Sequence, residues 1–254
     1  MALLKATKLS IVFGGLRAVS NFDVEIAPGE LVGLIGPNGA GKTTAFNLLT
    51  GVYEPTEGQI EFDGKSIVGL KPYQITQKGI ARTFQNIRLF ADLSVLDNVK
   101  IAYHFHVKYG LLESMLRVGR YHKEEAEIEE KAIKFLEIFQ LADKKDEIAK
   151  NLPYGEQRRL EIARALAAQP KLLLLDEPAA GMNPQETQQL MEMIRWIKTE
   201  FNLTILLIEH DMSLVMGVCE RIYVLDYGSI IAQGTPMEIK NNPRVIEAYL
   251  GEEV

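Results

Sequence analysis

The stretch Leu31-Val32-Gly33-Leu34-Ile35-Gly36-Pro37-Asn38-Gly39-Ala40-Gly41-Lys42-Thr43-Thr44 decides the fold. Five apolar residues read as a short buried strand. A glycine-rich loop follows, spaced G-x-x-x-x-G-K-T, and a helix is expected from Lys42 to about Leu49. A polyphosphate needs backbone N–H donors at close range, and glycine gives that room because it carries no side chain. The helix behind the loop aims its positive end at the same place. Gly36, Pro37, Asn38, Gly39, Ala40, Gly41, Lys42, Thr43 and Thr44 are therefore candidate nucleotide-binding residues. Lys42 is expected to reach the β- and γ-phosphates, and the Thr43 hydroxyl to ligate Mg²⁺.

A second segment completes that chemistry. Leu172-Leu173-Leu174-Leu175-Asp176-Glu177-Pro178 is an apolar strand ending in two acids. In an open α/β sheet the carboxyl edge is where ligands bind. Asp176 is placed to hold the Mg²⁺ shell, and Glu177 to act as general base on water. The wide interval between Lys42 and Asp176 leaves room for an inserted helical region.

The rest of the chain fits a mostly parallel sheet. Phe22, Val24 and Ile26 alternate with Asp23 and Glu25, and Gly58–Asp63 alternates before an Asp63-Gly64 turn, so the N-terminal third is strand-rich. Ser94 with Asp97 predicts a helix start, and Ile128, Ala132, Phe135, Leu136 and Phe139 share one helical face. The acidic run Glu124–Glu130 is expected on that helix's solvated face. Asn183, Pro184 and Glu186 open another helix, strands are expected at Leu203–Ile208 and Arg221–Asp226, and Asp211 caps a helix between them. Met182, Met191, Met193, Met212 and Met216 are read as helical core residues. One domain is expected over 1–254, with a nucleotide-binding core and β-subdomain at 1–85 and 166–254 and a helical subdomain at 86–165.

Composition narrows the class. The chain has 254 residues, 47% hydrophobic and 24% charged, which suits a folded globular domain. A net charge of −6 gives no support for nucleic-acid binding, and Arg158, Arg159 and Arg164 form the only basic cluster. The single cysteine, Cys219, cannot form a disulfide within the chain and reads as a core filler. No apolar run approaches the ~18 residues of a membrane span, and residues 1–13 read as a strand and not as a signal peptide.

With both motifs in place, the sequence resembles the ABC transporter ATPase family over nearly its whole length. Gln85, in Arg82-Thr83-Phe84-Gln85, resembles the glutamine that in the family touches Mg²⁺ and the attacking water. Leu152-Pro153-Tyr154-Gly155-Glu156 resembles the signature motif, which completes the ATP site of an opposite subunit. Ala180-Gly181-Met182-Asn183 occupies the family's D-loop, His210 resembles its switch histidine, and Phe13 resembles the aromatic that stacks on adenine. The signature departs from the family's usual pattern, because Pro153 stands where a serine hydroxyl would contact the γ-phosphate. Arg82–Phe90, Leu152–Glu161, the tail Asn242–Gly251 and the placement of the insert around His104–His122 resemble the ATPases of branched-chain amino-acid uptake systems, with lipopolysaccharide and urea transport cassettes as related alternatives.

The resemblance implies a P-loop NTPase (ABC ATPase) fold of α/β class, with ATP and Mg²⁺ as cofactors. It also implies permease subunits in the membrane, a second ATPase subunit in a dimer around ATP, and indirectly an extracytoplasmic binding protein. The expected location is the cytoplasmic face of the inner membrane, reached through the permease. Arg88, Leu89 and Phe90 are candidates for the permease-docking groove. Competing expectations are a soluble ABC ATPase acting on DNA or ribosomes, a P-loop kinase or GTPase, and a binding-only cassette.

Overall fold

The computed structural model describes residues 1–104 and 107–250. Phe105 and His106 of the insert, and Gly251 of the tail, lie outside them. The chain divides into two units, Met1–Gln85 with Lys171–Val254, and Asn86–Pro170.

The first unit contains two sheets. Strands β1 (Leu4–Phe13), β2 (Leu16–Ile26), β4 (Glu57–Phe62) and β5 (Lys65–Ser66) form an antiparallel sheet in the order β2-β1-β4-β5. Phe22, Val24 and Ile26 are buried while Asp23 and Glu25 are exposed, as the alternation dictates. The Asp63-Gly64 turn places both residues at positive φ, 52° and 71°, which suits a tight hairpin.

The second sheet carries the site. Its order is β10-β9-β3-β8-β7-β6, with β3 at Leu31–Ile35, β6 at Ile80–Arg82, β7 at Leu172–Asp176, β8 at Thr204–Ile208, β9 at Arg221–Asp226 and β10 at Ser229–Gly234. All pairings are parallel except β9 with β10. Every residue of β3, β7 and β8 is buried, which is why those strands are continuous apolar runs. Helices α1 (Lys42–Leu49), α2 (Pro72–Lys78), α7 (Pro184–Glu200), α8 (Met212–Val218), α9 (Pro236–Lys240) and α10 (Pro243–Leu250) belong to this unit. Asn183 caps α7 through the N–H groups of Gln185 and Glu186, and Asp211 caps α8 through Ser213 and Leu214. The methionine reading needs correction. Met182 lies in the loop before α7, and of the five only Met191 is buried, because Met193, Met212 and Met216 sit at the margins of their helix faces.

The second unit is helical: α3 (Val95–Tyr103), α4 (Leu111–Leu116), α5 (Tyr121–Ile138) and α6 (Tyr154–Ala167), with 3₁₀ turns at Ala142–Lys144 and Ala149–Asn151. Ser94 caps α3 by accepting from the Asp97 N–H at 3.0 Å. Val99, Ile128, Ala132, Leu136, Phe139 and Leu160 are among its buried residues. Arg158 is fully buried and bonds Glu161 at 2.7 Å, and burial pulls the Arg164 pKa down, so the basic cluster is no surface patch. The acidic run is also not simply solvated. Glu124 accepts the backbone N–H groups of Lys108 and Tyr109, and Glu125 accepts the Tyr109 hydroxyl.

Candidate functional site

Four neighbouring strands of the parallel sheet end side by side. The glycine-rich loop leaves β3, Glu209 and His210 leave β8, Asp176 and Glu177 close β7, and Thr83–Gln85 leave β6. Because all four run parallel, their carboxyl ends share one edge. Sequence separation is thereby converted into proximity.

The loop's shape depends on two glycines. Gly36 has φ 154°, and a Cβ there would collide with the Leu225 carbonyl. Gly41, the N-cap of α1, has φ 101°, and a Cβ would meet the Ala18 carbonyl oxygen at 2.7 Å. The Ala40 carbonyl accepts from the Gly228 N–H at 2.9 Å, which ties the loop to the β9–β10 turn. Lys42 is buried and donates to the Gly36 and Pro37 carbonyls at 2.6 and 2.9 Å. Desolvation lowers its pKa, against the opposing pull of Glu177 and Asp176. Asn38, Gly39 and Thr43 are exposed, so the loop's outer face and the first turn of α1 are open to a ligand. Tyr249 of α10 reaches the loop as well: burial raises its phenol pKa and the Gly36 backbone N–H partly offsets that.

The acids form a connected set. Glu177 sits at φ 44°, a left-handed conformation unusual for a non-glycine residue, and its N–H bonds the Ile208 carbonyl at 2.9 Å. Its Oε2 accepts from Gln85 Nε2 at 2.7 Å and lies 3.6 Å from His210 Nδ1. Gln85, Glu177 and His210 are thus gathered at one point. Asp176 is buried, with Oδ2 2.6 Å from Arg82 Nη2 and, among the described residues, no hydrogen bond on Oδ1. Phe13 ends β1 exposed, edge to face with Tyr53 at 5.2 Å between ring centroids.

Two site residues escaped the sequence reading. Glu209 is fully buried and accepts the backbone N–H groups of Ala179, His210 and Asp211 at 2.8, 3.0 and 3.3 Å, joining the loops after β7 and β8. Arg82 holds Asp176 while also donating to Asn47 and Thr50 of the α1 end. A signal existed in each case: an acid directly after a buried strand, and an arginine at a strand end facing an acidic one.

The signature residues belong to the helical unit. Pro153 is the N-cap of α6 and accepts the N–H groups of Glu156 and Gln157 at 3.0 Å. Tyr154 is exposed, its hydroxyl accepts from Arg158 at 3.2 Å, and Gly155 lies in the first turn. Glu156 is bound by Lys144 through both carboxylate oxygens at 2.7 Å.

A glycine-rich phosphate loop on a parallel sheet, with an acid pair on a neighbouring strand, defines a nucleoside-triphosphate-binding protein of the P-loop class. The ABC transporter family model matches residues 19–180, and a model for the branched-chain amino acid ATP-binding cassette transporter matches 229–254. The high-affinity branched-chain amino acid transport ATP-binding protein LivG of Escherichia coli is 50% identical over 98% of both chains. The lipopolysaccharide export ATP-binding protein LptB of Haemophilus influenzae is 35% identical over 100% of this chain and 99% of that one. Among solved structures, the ADP conformation of an ABC transporter ATP-binding cassette matches with TM-score 0.85 and 32% identity, over 99% of this chain and 100% of that one. A dimeric post-hydrolysis cassette bound to ADP and Pi matches with TM-score 0.76 and 25% identity, over 92% and 98%. The chain belongs to the ABC transporter ATP-binding family.

Proposed function

We propose that this chain is the ATP-hydrolysing subunit of an ABC importer for branched-chain amino acids. The convergence on Glu177 of Gln85, hydrogen-bonded at 2.7 Å, and His210, at 3.6 Å, on the sheet edge that also carries Lys42, is the observation that carries the hydrolytic reading. The cargo reading rests on the relatives: 50% identity to LivG against 35% to LptB, and the C-terminal match at 229–254.

In this reading the loop N–H groups and Lys42 hold the triphosphate, with Lys42 exchanging the Gly36 and Pro37 carbonyls for β- and γ-phosphate oxygens. Phe13 packs on the adenine. The Thr43 hydroxyl, the Gln85 side chain and Asp176 would hold Mg²⁺. They are hard oxygen donors, and the unbonded Asp176 Oδ1 suits a cation. The ion supplies charge neutralisation on the phosphate oxygens. Glu177 takes the proton of a water whose oxygen attacks the γ-phosphorus; the bond to the β–γ bridging oxygen breaks, and ADP carries the electron pair away. Gln85 orients that water, and His210 holds the γ-phosphate.

Pro153, Tyr154, Gly155 and Glu156 cover the nucleotide held by a second cassette, whose own signature covers the nucleotide held here, so ATP closes a dimer and its hydrolysis reopens it. Residues 86–165 act as the signature-bearing helical subdomain, and 1–85 with 166–254 as the nucleotide-binding core. Permease subunits hold the pair at the cytoplasmic face of the membrane. Among the described residues no helix is long and apolar enough to cross a membrane itself. An extracytoplasmic binding protein delivers the cargo.

The test is reconstitution of the chain with its permease and second cassette, with the extracytoplasmic binding protein added. ATP-dependent leucine uptake into proteoliposomes is expected. ATP turnover without uptake of any branched-chain amino acid overturns the cargo assignment, and absence of nucleotide binding overturns the whole reading.

A further inference from the structure

Helix α4 (Leu111–Leu116) is amphipathic in the inverted sense. Its apolar residues Leu111, Leu112, Met115 and Leu116 stand at i, i+1, i+4 and i+5 and so share one face. That face is exposed, at 82%, 75%, 76% and 68%, and Val118 just beyond adds 52%. The polar Glu113 and Ser114 are the half-buried ones. A soluble helix normally points its apolar stripe inward, and a contiguous exposed apolar patch marks an interaction site.

The surroundings hold this face outward. Glu113 accepts the Gly110 and Arg120 backbone N–H groups, which keeps its pKa below the usual carboxylate range. Glu124 fixes the Lys108 and Tyr109 N–H groups, Glu125 the Tyr109 hydroxyl, and Tyr109 and Tyr121 meet edge to face at 5.3 Å. The carboxylates nearest the patch are therefore turned to internal donors. The basic groups are left over. Between residues 108 and 123 stand Lys108, Arg117, Arg120 and Lys123 against the single acid Glu113, in a chain whose net charge is −6. Arg120 pairs with Glu113 and Lys123 approaches Glu127, while the side chains of Lys108 and Arg117 make no salt bridge among the described residues.

An exposed leucine and methionine face flanked in sequence by Lys108, Arg117, Arg120 and Lys123 is the complement of an anionic lipid surface, whose acyl boundary takes the apolar side chains and whose headgroups take the cations. We propose that α4 and its flanks dock this ATPase directly onto the anionic bilayer, as a contact additional to any permease. The proposal does not depend on the cargo or on the hydrolytic assignment.

The test is flotation of the full-length, permease-free protein with vesicles of phosphatidylcholine alone and with added phosphatidylglycerol. Binding to the anionic vesicles is expected, weakened by high salt. It should fall about tenfold or more in Leu112→Ser/Leu116→Ser, since each buried apolar side chain contributes roughly that factor, and fall less in Lys108→Gln/Arg117→Gln. Binding of a fluorescent ATP analogue should be unchanged in both variants, which shows that they are folded. Absence of flotation with anionic vesicles at low salt, or flotation indifferent to Leu112→Ser/Leu116→Ser, overturns the proposal. Equal binding to neutral vesicles overturns the anionic assignment. Self-association of the wild type that the apolar variant abolishes, without vesicle binding, assigns the face to a second copy and also overturns it.

Discussion

Arg82 Nη2 lies 2.6 Å from Asp176 Oδ2, and both side chains are almost wholly buried. The same guanidinium donates to Asn47 Oδ1 at 2.7 Å and Thr50 Oγ1 at 3.2 Å, and lies over the Phe46 and Phe84 rings. One arginine thus joins the end of helix α1, the strand leading to Gln85 and the acid proposed to serve Mg²⁺. Breaking a buried pair from one side leaves an uncompensated charge, at a cost of about 3–5 kcal/mol. Arg82→Met is expected to lower stability by that order in nucleotide-free protein, and Arg82→Met/Asp176→Asn to recover much of it. Denaturant unfolding of the wild type, both single variants and the double variant measures the coupling. Strict additivity would show that the two groups are not energetically joined.

Glu177 is expected to separate binding from turnover. Glu177→Gln keeps a side chain of the same size beside Gln85 and His210 but removes the proton acceptor. Turnover should drop by roughly 10²–10⁴-fold, the usual contribution of a general base, while ATP-analogue affinity stays near the wild-type value. Steady-state ATPase in the reconstituted transporter, with equilibrium binding alongside, gives both quantities. Wild-type turnover in this variant refutes the assignment.

Local signals were strong where chemistry and geometry coincide in a few consecutive residues. The phosphate loop, the Asp176-Glu177 strand end, the Asn183-Pro184-Glu186 helix start and the Asp211 cap each need only neighbours in sequence. What stayed hidden depends on strand order. Arg82 and Asp176 meet because β6 lies beside β7, pairing Arg82 with Leu174, and no periodicity in either segment announces that adjacency. Glu209 looks like any acid after an apolar strand until its three N–H donors come from two loops. Helix α4 is hidden in another way, because an apolar stripe ordinarily marks a buried face and this fold turns it outward.

Glu209 gives a pH-dependent signature. Burial raises its pKa above the usual carboxylate range, and the N–H groups of Ala179, Asp211 and His210 only partly oppose that. The folded protein therefore binds a proton at Glu209 more tightly than the unfolded chain. Its stabilising contribution is full below the unfolded carboxylate pKa of about 4.3 and declines as pH rises through the folded value. Glu209→Gln removes this titration. The stability difference between wild type and Glu209→Gln is expected to be largest in acid and to shrink as pH rises from that point. Urea unfolding of both proteins across that window is the measurement, and a difference that stays constant with pH contradicts the burial argument.

Lys42 is expected to matter to the ligand far more than to the fold. In the nucleotide-free protein its ammonium is desolvated, with the loop carbonyls of Gly36 and Pro37 as hydrogen-bond partners. Desolvation, the largest influence on its pKa, outweighs the opposing pull of Glu177 and Asp176. Removing the charge should thus cost the empty protein little. A triphosphate reverses the balance, because its β- and γ-oxygens offer full negative charge in place of carbonyl dipoles. A ligand that binds only the folded state at about 100-fold over its Kd stabilises by about 2.7 kcal/mol, which for a chain this size is a rise in Tm of roughly 5–10 °C. Lys42→Ala should melt within a few degrees of wild type without nucleotide and lose most of the ATP-induced rise. A paired thermal scan with and without MgATP decides it. A variant that keeps the full rise would show that Lys42 does not hold the phosphates, and one that unfolds without nucleotide would show that the lysine is a structural element of the loop.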